Sequence, residues 1–207
     1  FDPRVWPQAQ LLLTGTILGT DVIDVTAATA AAGGERAWGE VALSFKATIF
    51  KKIKFHTHEN VGWGKIQLPP QELHTTAYWV AFADESIPDT ALQGLANVLA
   101  NVAPLYLMCD PHDIGVHHQV KSPFTKRPTI YIYDAVPGGV GFAEKLYAMH
   151  ADLIAAARDL VRECGCVMGC PSCVGPWTEV GQDAKSAVAA LLGSLDRLEV
   201  PRLEGRV

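Results

Sequence analysis

Residues 164 to 173 read CGCVMGCPSC, placing Cys164, Cys166, Cys170 and Cys173 within ten positions of a 207-residue chain that holds five cysteines in all. Thiols packed this closely can bind a metal, form disulfides or act as a redox pair. Geometry disfavours disulfides, because bridging cysteines one or two residues apart closes a strained and very small loop. Disulfides are also rare in the reducing cytosol, the compartment expected for a chain whose sequence shows no export signal. The redox reading rests on Cys170-Pro171-Ser172-Cys173. That C-x-x-C spacing should follow a strand and open a helix, whereas here it follows a helical pattern and two further thiols crowd it. A bound metal uses all four cysteines. Two close pairs can present four thiolates as a tetrahedron, the arrangement of structural zinc, although an iron–sulfur cluster takes the same ligands. Such a closed site keeps no position for a substrate water, so zinc here would be structural. Gly165 and Gly169 are expected to relax the backbone beside the ligands, and Pro171 to stiffen the second pair. Cys109 stands apart at the end of an apolar stretch and reads as a small buried hydrophobe.

Three other stretches carry possible chemistry. In YDAVPGGVGFAEKL, residues 133 to 146, a strand, a glycine turn with Gly138, Gly139 and Gly141, and a helix start follow one another. Free backbone N–H groups in such a turn can bind phosphate. The stretch matches neither the G-x-x-x-x-G-K-[ST] loop nor the G-x-G-x-x-G fingerprint, and Asp134 and Glu144 would repel an anion. The other reading is that the glycines permit close helix-to-sheet packing. In CDPHDIGVHH, His112-Asp113 suggests a metal phosphohydrolase pair, but Pro111 precedes it and the stretch reads as a loop shaped by Asp110 and Asp113, with His117 and His118 on the surface. Lys51, Lys52 and Lys54, followed by His56 and His58, form the main basic cluster. Lysines on an exposed strand commonly protect a sheet edge, and a stripe touching phosphates is the functional alternative.

The elements that must position these residues show in the periodicity. Residues 41 to 55 are apolar at every second position from Val41 to Ile49, the pattern of a half-buried strand, and TDVIDVTAA pairs with it across Gly33-Gly34. GKIQL and TTAYWVAF add strand-like runs around Pro69 and Pro70, and PTIYIYDAV adds another. Leu92, Leu95, Leu99, Val102 and Tyr106 mark a helix starting after Pro88-Asp89. Phe142, Leu146, Met149, Leu153, Ala157 and Leu160 predict the longest helix, running into Cys164, and Val188 to Leu198 a last one. Strands lead and helices follow. The expected class is α+β, a largely antiparallel sheet with helices packed on it and a C-terminal four-cysteine knuckle.

The chain is 49% hydrophobic, enough for one globular domain, and carries a net charge of −5, which argues against a surface coated for DNA. The division expected is a strand-rich half over 1–85, a helix and strand half over 86–163, the knuckle over 164–174 and a closing helix over 183–198. No apolar run reaches the roughly 18 residues that span a bilayer, so no membrane partner is expected. A start at Phe1 without Met suggests a piece of a longer protein, and the closing LEGRV reads as an addition outside the fold.

TIYIYDAVPGGVGFAEKLY, CGCVMGCPSCVGP and DAKSAVAALLGSL, with LPPQELHTTAYW and CDPHDIG upstream, together resemble the C-terminal zinc-binding domain of helicases of the mitomycin repair factor A type. These are superfamily 2 DNA repair helicases. The resemblance covers about residues 39 to 198; residues 1 to 38 share only strand-like character. It implies Cys164, Cys166, Cys170 and Cys173 as structural Zn²⁺ ligands and no catalytic residue. The chain lacks both a Walker A lysine loop and an Asp-Glu-x-His/Asp box. ATP and Mg²⁺ would then belong to motor domains N-terminal to Phe1, the implied partners, with this domain bracing the motor and guiding single-stranded DNA. The module also resembles a component of anti-phage defence systems, which keeps a zinc-stabilised protein–protein module as the alternative.

Overall fold

The computed structural model describes residues 9–31, 33–54, 57 and 59–195. Six strands and five helices follow in the order β1 (Ala9–Ala31), β2 (Gly34–Lys54), β3 (Asn60–Lys65), β4 (Gln71–Phe82), α1 (Asp89–Leu107), β5 (Ile114–Gln119), β6 (Thr129–Asp134), α2 (Phe142–Ala148), α3 (His150–Glu163), α4 (Trp177–Val180) and α5 (Ala184–Leu195). One sheet has the order β1-β2-β4-β6-β5, with β3 paired to β2 off that path. The pairings of β2 with β3, β4 with β6 and β5 with β6 are antiparallel. The α+β class expected from the periodicity holds. No described helix is long and apolar enough to cross a membrane.

The chain forms two compact units, Phe1–Thr20 with Ala42–Leu73, and Asp21–Val41 with His74–Val207. The first contains β3 and parts of β1, β2 and β4. Its β3 pairs in register with Ile49 to Lys52 and slips by one residue at Ile53, a bulge that ends the regular ladder.

The second unit carries the main core. In β4, every residue from Ala77 to Phe82 is buried, because the strand is covered on both faces. Tyr78, Val80 and Phe82 face the helical core, while Trp79 packs against Tyr131 and Phe124 on the other side. Helix α1 buries Leu92, Leu95, Leu99 and Val102, the series at three- and four-residue steps, and packs on α3, α5 and β5. A β-carbon at Gly94 would come within 2.8 Å of Val188, so glycine sets how closely α1 and α5 approach.

Several expectations need correction. Among the described residues the longest helix is α1, with 19 residues. The helical stretch before Cys164 breaks at Met149 (φ −99°, ψ 23°) into α2 and α3. The bend turns His150 fully into the core, where its Nδ1 shares a hydrogen bond with the buried Tyr78 hydroxyl. Residues 114 to 119 form strand β5 rather than a loop, and His117 and His118 are half-buried rather than on the surface. The alternation of Ile114 and Val116 carries the strand, and paired histidines obscure it. The strand read as GKIQL lies earlier, at Asn60–Lys65. His56, His58, the end of the closing helix at 196–198 and LEGRV lie outside the described residues.

Candidate metal centre

Helix α3 ends where Cys164 turns extended (φ −65°, ψ 122°), its N–H still donating to Leu160 O. The chain then folds back on itself. The N–H groups of Cys173 and Gly175 both donate to Cys170 O at 3.0 Å, a tight turn that brings the second cysteine pair under the first. Gly169 (φ +131°) makes the return possible, since a β-carbon there would meet Gly175 O and Val174 at 2.7 Å. Gly165 has neither a positive φ nor a close neighbour, so the geometry requires glycine only at the second of the two positions expected.

The four sulfurs meet. Cys164 Sγ lies 3.5 Å from that of Cys166 and 3.6 Å from that of Cys170, and Cys173 Sγ lies 3.4 Å from Cys166 and 3.6 Å from Cys170. All four lie within 4.8 Å of one another, too close for a flat square with such edges. Thiolates about 2.3 Å from a zinc ion sit at tetrahedron corners about 3.8 Å apart, so the donor set fits a tetrahedral metal. All four cysteines are free, which removes the disulfide reading. Cys173 is buried and the other three are half-buried. The Cys166 backbone N–H, helped by the neighbouring thiols, holds the Cys164 thiol down at about 7. The Cys164 thiol pushes Cys170 up, and burial pushes Cys173 up. Four thiolates this close repel one another, and a divalent cation among them relieves that cost.

Residues that the thiol spacing did not reveal hold the knuckle to the helices. Lys185 Nζ on α5 donates to Cys164 O and Cys166 O, both at 2.6 Å. On α1, Asn97 Nδ2 donates to Val174 O at 3.0 Å, and Asn101 Nδ2 reaches Pro171 O and Cys173 O at 3.4 Å. A signal for the asparagines was present, because two amides four residues apart on an otherwise apolar helix point at one partner. Nothing in the sequence singled out Lys185. The knuckle is thus pinned by α1, α3 and α5.

The other candidate residues lie apart from this centre. In the glycine turn, Gly138, Gly139 and Gly141 all have positive φ. The buried Asp134 carboxylate accepts from the N–H groups of Val140, Gly141 and Phe142 at 2.6, 3.1 and 3.3 Å. A β-carbon at Gly139 would clash with Thr76 at 2.2 Å. His112 is 96% exposed in a turn, its ring 2.7 Å from Asp110, while Asp113 accepts from Asp110 N at 3.1 Å. Among the described residues, the four cysteines are the one group of three or more His, Cys, Asp or Glu side chains placed to share a metal, which leaves the phosphohydrolase alternative without support. Cys109 is half-buried against the core, and burial raises its thiol. Lys51, Lys52 and Lys54 are exposed on β2 in the first unit, with Lys54 paired to Glu59 at 2.9 Å.

Comparison with known proteins agrees with this geometry. Residues 95–174 match the family described as the MrfA Zn-binding domain. The chain is 43% identical over 164 residues to the ATP-dependent helicase YprA of Bacillus subtilis, covering 76% of this chain and 22% of that protein. It is 27% identical over 86 residues to the protein MJ1572.1 of Methanocaldococcus jannaschii, covering 40% of this chain and 77% of that one. Among solved structures, the DUF1998 helicase MrfA bound to DNA superposes with a TM-score of 0.72 at 37% identity, over 91% of this chain and 26% of the helicase. MrfA bound to DNA and AMPPNP gives 0.60 at 36% identity, over 90% and 22%. The chain therefore spans about a quarter of the length of these helicases. The thiol cluster, the fold and these matches agree: residues 95–174 match the MrfA Zn-binding domain, and the chain as a whole is similar to the corresponding quarter of the MrfA-type helicases.

Proposed function

We propose that this chain is the zinc-stabilised accessory domain of an ATP-dependent DNA repair helicase, bracing the motor domains of the same polypeptide and guiding single-stranded DNA. The observation that carries this reading is the closed four-thiol centre pinned by α1, α3 and α5. With four protein ligands, zinc keeps no open position for substrate, so Cys164, Cys166, Cys170 and Cys173 hold shape rather than catalyse. ATP and Mg²⁺ act in the motor. In this reading Gly138, Gly139 and Gly141 serve packing, since Asp134 already occupies the amides that a phosphate would need. Backbone phosphates are met within the cluster of Lys51, Lys52 and Lys54, and the protein works in the cytoplasm.

Titration of single-stranded DNA at two salt concentrations tests the DNA role. Weak binding that falls steeply with salt, and that is lost when the three lysines become Glu, supports it. No binding even at low salt overturns it in favour of a protein–protein module.

A further inference from the structure

The net charge of −5 conceals a separation of charge. The first compact unit holds six Lys and Arg against three Asp and Glu, a formal +3, and the rest of the chain therefore carries −8. Within that basic unit, β3 reads Asn60-Val61-Gly62-Trp63-Gly64-Lys65. Trp63 is 67% exposed, the least covered large aromatic side chain among the described residues.

Register explains the exposure. Lys51 pairs with Trp63, and Ile49 with Lys65, so these four share one face of the β2–β3 ribbon. Phe50 pairs with Gly64 and Lys52 with Gly62 on the other face. There the glycines leave room for the Phe50 ring, 2.9 Å from where a β-carbon of Gly64 would sit, and for the Lys52 stem over Gly62. Trp63 thus projects on the face that also carries the exposed Lys51 across the ladder and Lys65 two residues along. The exposed ring shares its face with two lysines, a flat apolar surface beside cationic groups.

We infer that Trp63 is a stacking platform for a base of single-stranded DNA, with Lys51 and Lys65 neutralising the phosphates on either side. The inference rests on the DNA-guiding reading and deepens it. The three lysines read from sequence do not act as one stripe. Lys51 works with Trp63 and Lys65, whereas Lys52 lies on the opposite face and Lys54 is engaged by Glu59. A base offers its flat surface only when unpaired, and base–aromatic stacking tolerates any sequence, as a strand guide requires.

The test is anisotropy of a labelled single-stranded oligothymidylate, and of a duplex of equal length, titrated with the whole chain. Trp63→Ala should weaken single-strand binding roughly 5- to 150-fold, leave the salt slope unchanged and leave duplex binding unaffected. Trp63→Phe should recover most of the affinity. Trp63→Leu, which keeps apolar bulk without a π face, should not, and it covers the case in which Ala unsettles the ribbon. Lys51→Ala and Lys65→Ala should each lower the salt slope by about 0.7. If Trp63→Ala binds like the parent while the triple lysine-to-Glu variant does not, stacking is overturned and the phosphate reading stands. Equal losses on single strand and duplex also overturn stacking. If the parent binds neither at low salt, both readings fall.

Discussion

Replacing Lys185 by Met tests whether the knuckle is fastened to the closing helix as the geometry indicates. The substitution keeps the stem of the side chain and deletes the ammonium that bridges Cys164 O and Cys166 O at 2.6 Å each. A hydrogen bond to a charged group contributes about 1.5–3 kcal/mol. Lys185 is half-buried, so water can reach part of the exposed carbonyls, and the loss should total about 2–4 kcal/mol rather than the full pair. For a chain of this size each kcal/mol shifts the melting temperature by about 2–4 °C, so the midpoint should fall by about 5–15 °C. Circular dichroism melts at constant zinc read the stability. Zinc release to a chromogenic chelator reads the local effect, and it should be faster in Lys185→Met and close to the parent in Lys185→Arg. A Met variant that melts within about 1 °C of the parent and releases zinc at the same rate would refute the clamp.

Cys170→Ser should weaken metal binding and strip hydrogen-exchange protection from residues 175–195, because metal binding energy is folding energy in such sites; protection equal to the parent would make the knuckle dispensable. Asp134→Ala removes the acceptor of three backbone amides and should cost about 3–5 kcal/mol in urea unfolding, with an unchanged midpoint counting against the packing role. Burial, reinforced by the charge of Arg36, holds His150 neutral in the fold with a pKa of about 4, below its ordinary 6.5. The unfolded chain takes up that proton first as pH falls. Stability should therefore be full above about pH 6.5 and drop by about 2 kcal/mol from this group by pH 5, with a shallower fall in His150→Gln. ATP should be neither bound nor hydrolysed by this chain; turnover in a clean preparation, lost on Gly139→Asp, would restore the phosphate-loop reading.

The thiol cluster was legible because ligand spacing is local: four donors within ten residues need little tertiary information to be brought together. The same holds for α1, whose apolar series follows one helical face, and for the hairpin through Gly33-Gly34. What pins the knuckle was not legible, since Lys185 meets Cys164 across 21 residues and Asn97 meets Val174 across 77. The break at Met149 escaped the periodicity because Leu146 and Leu153 keep helical phase across it, and only the packing of His150 against Tyr78 reveals the turn. Strand β5 escaped because Pro111, Asp110 and Asp113 announce a turn, while Ile114 and Val116 are too few to show alternation. The glycine turn was ambiguous in sequence. Asp134, read there as a charge that repels phosphate, is instead the acceptor that fills the loop.

The central claim is that the four cysteines form one closed tetrahedral zinc site. Elemental analysis of the purified chain tests it most directly. The account predicts about one zinc ion per molecule, and its loss in Cys170→Ser. Stoichiometric iron in a brown protein that absorbs visible light, or a stably folded chain with no metal at all, would contradict it.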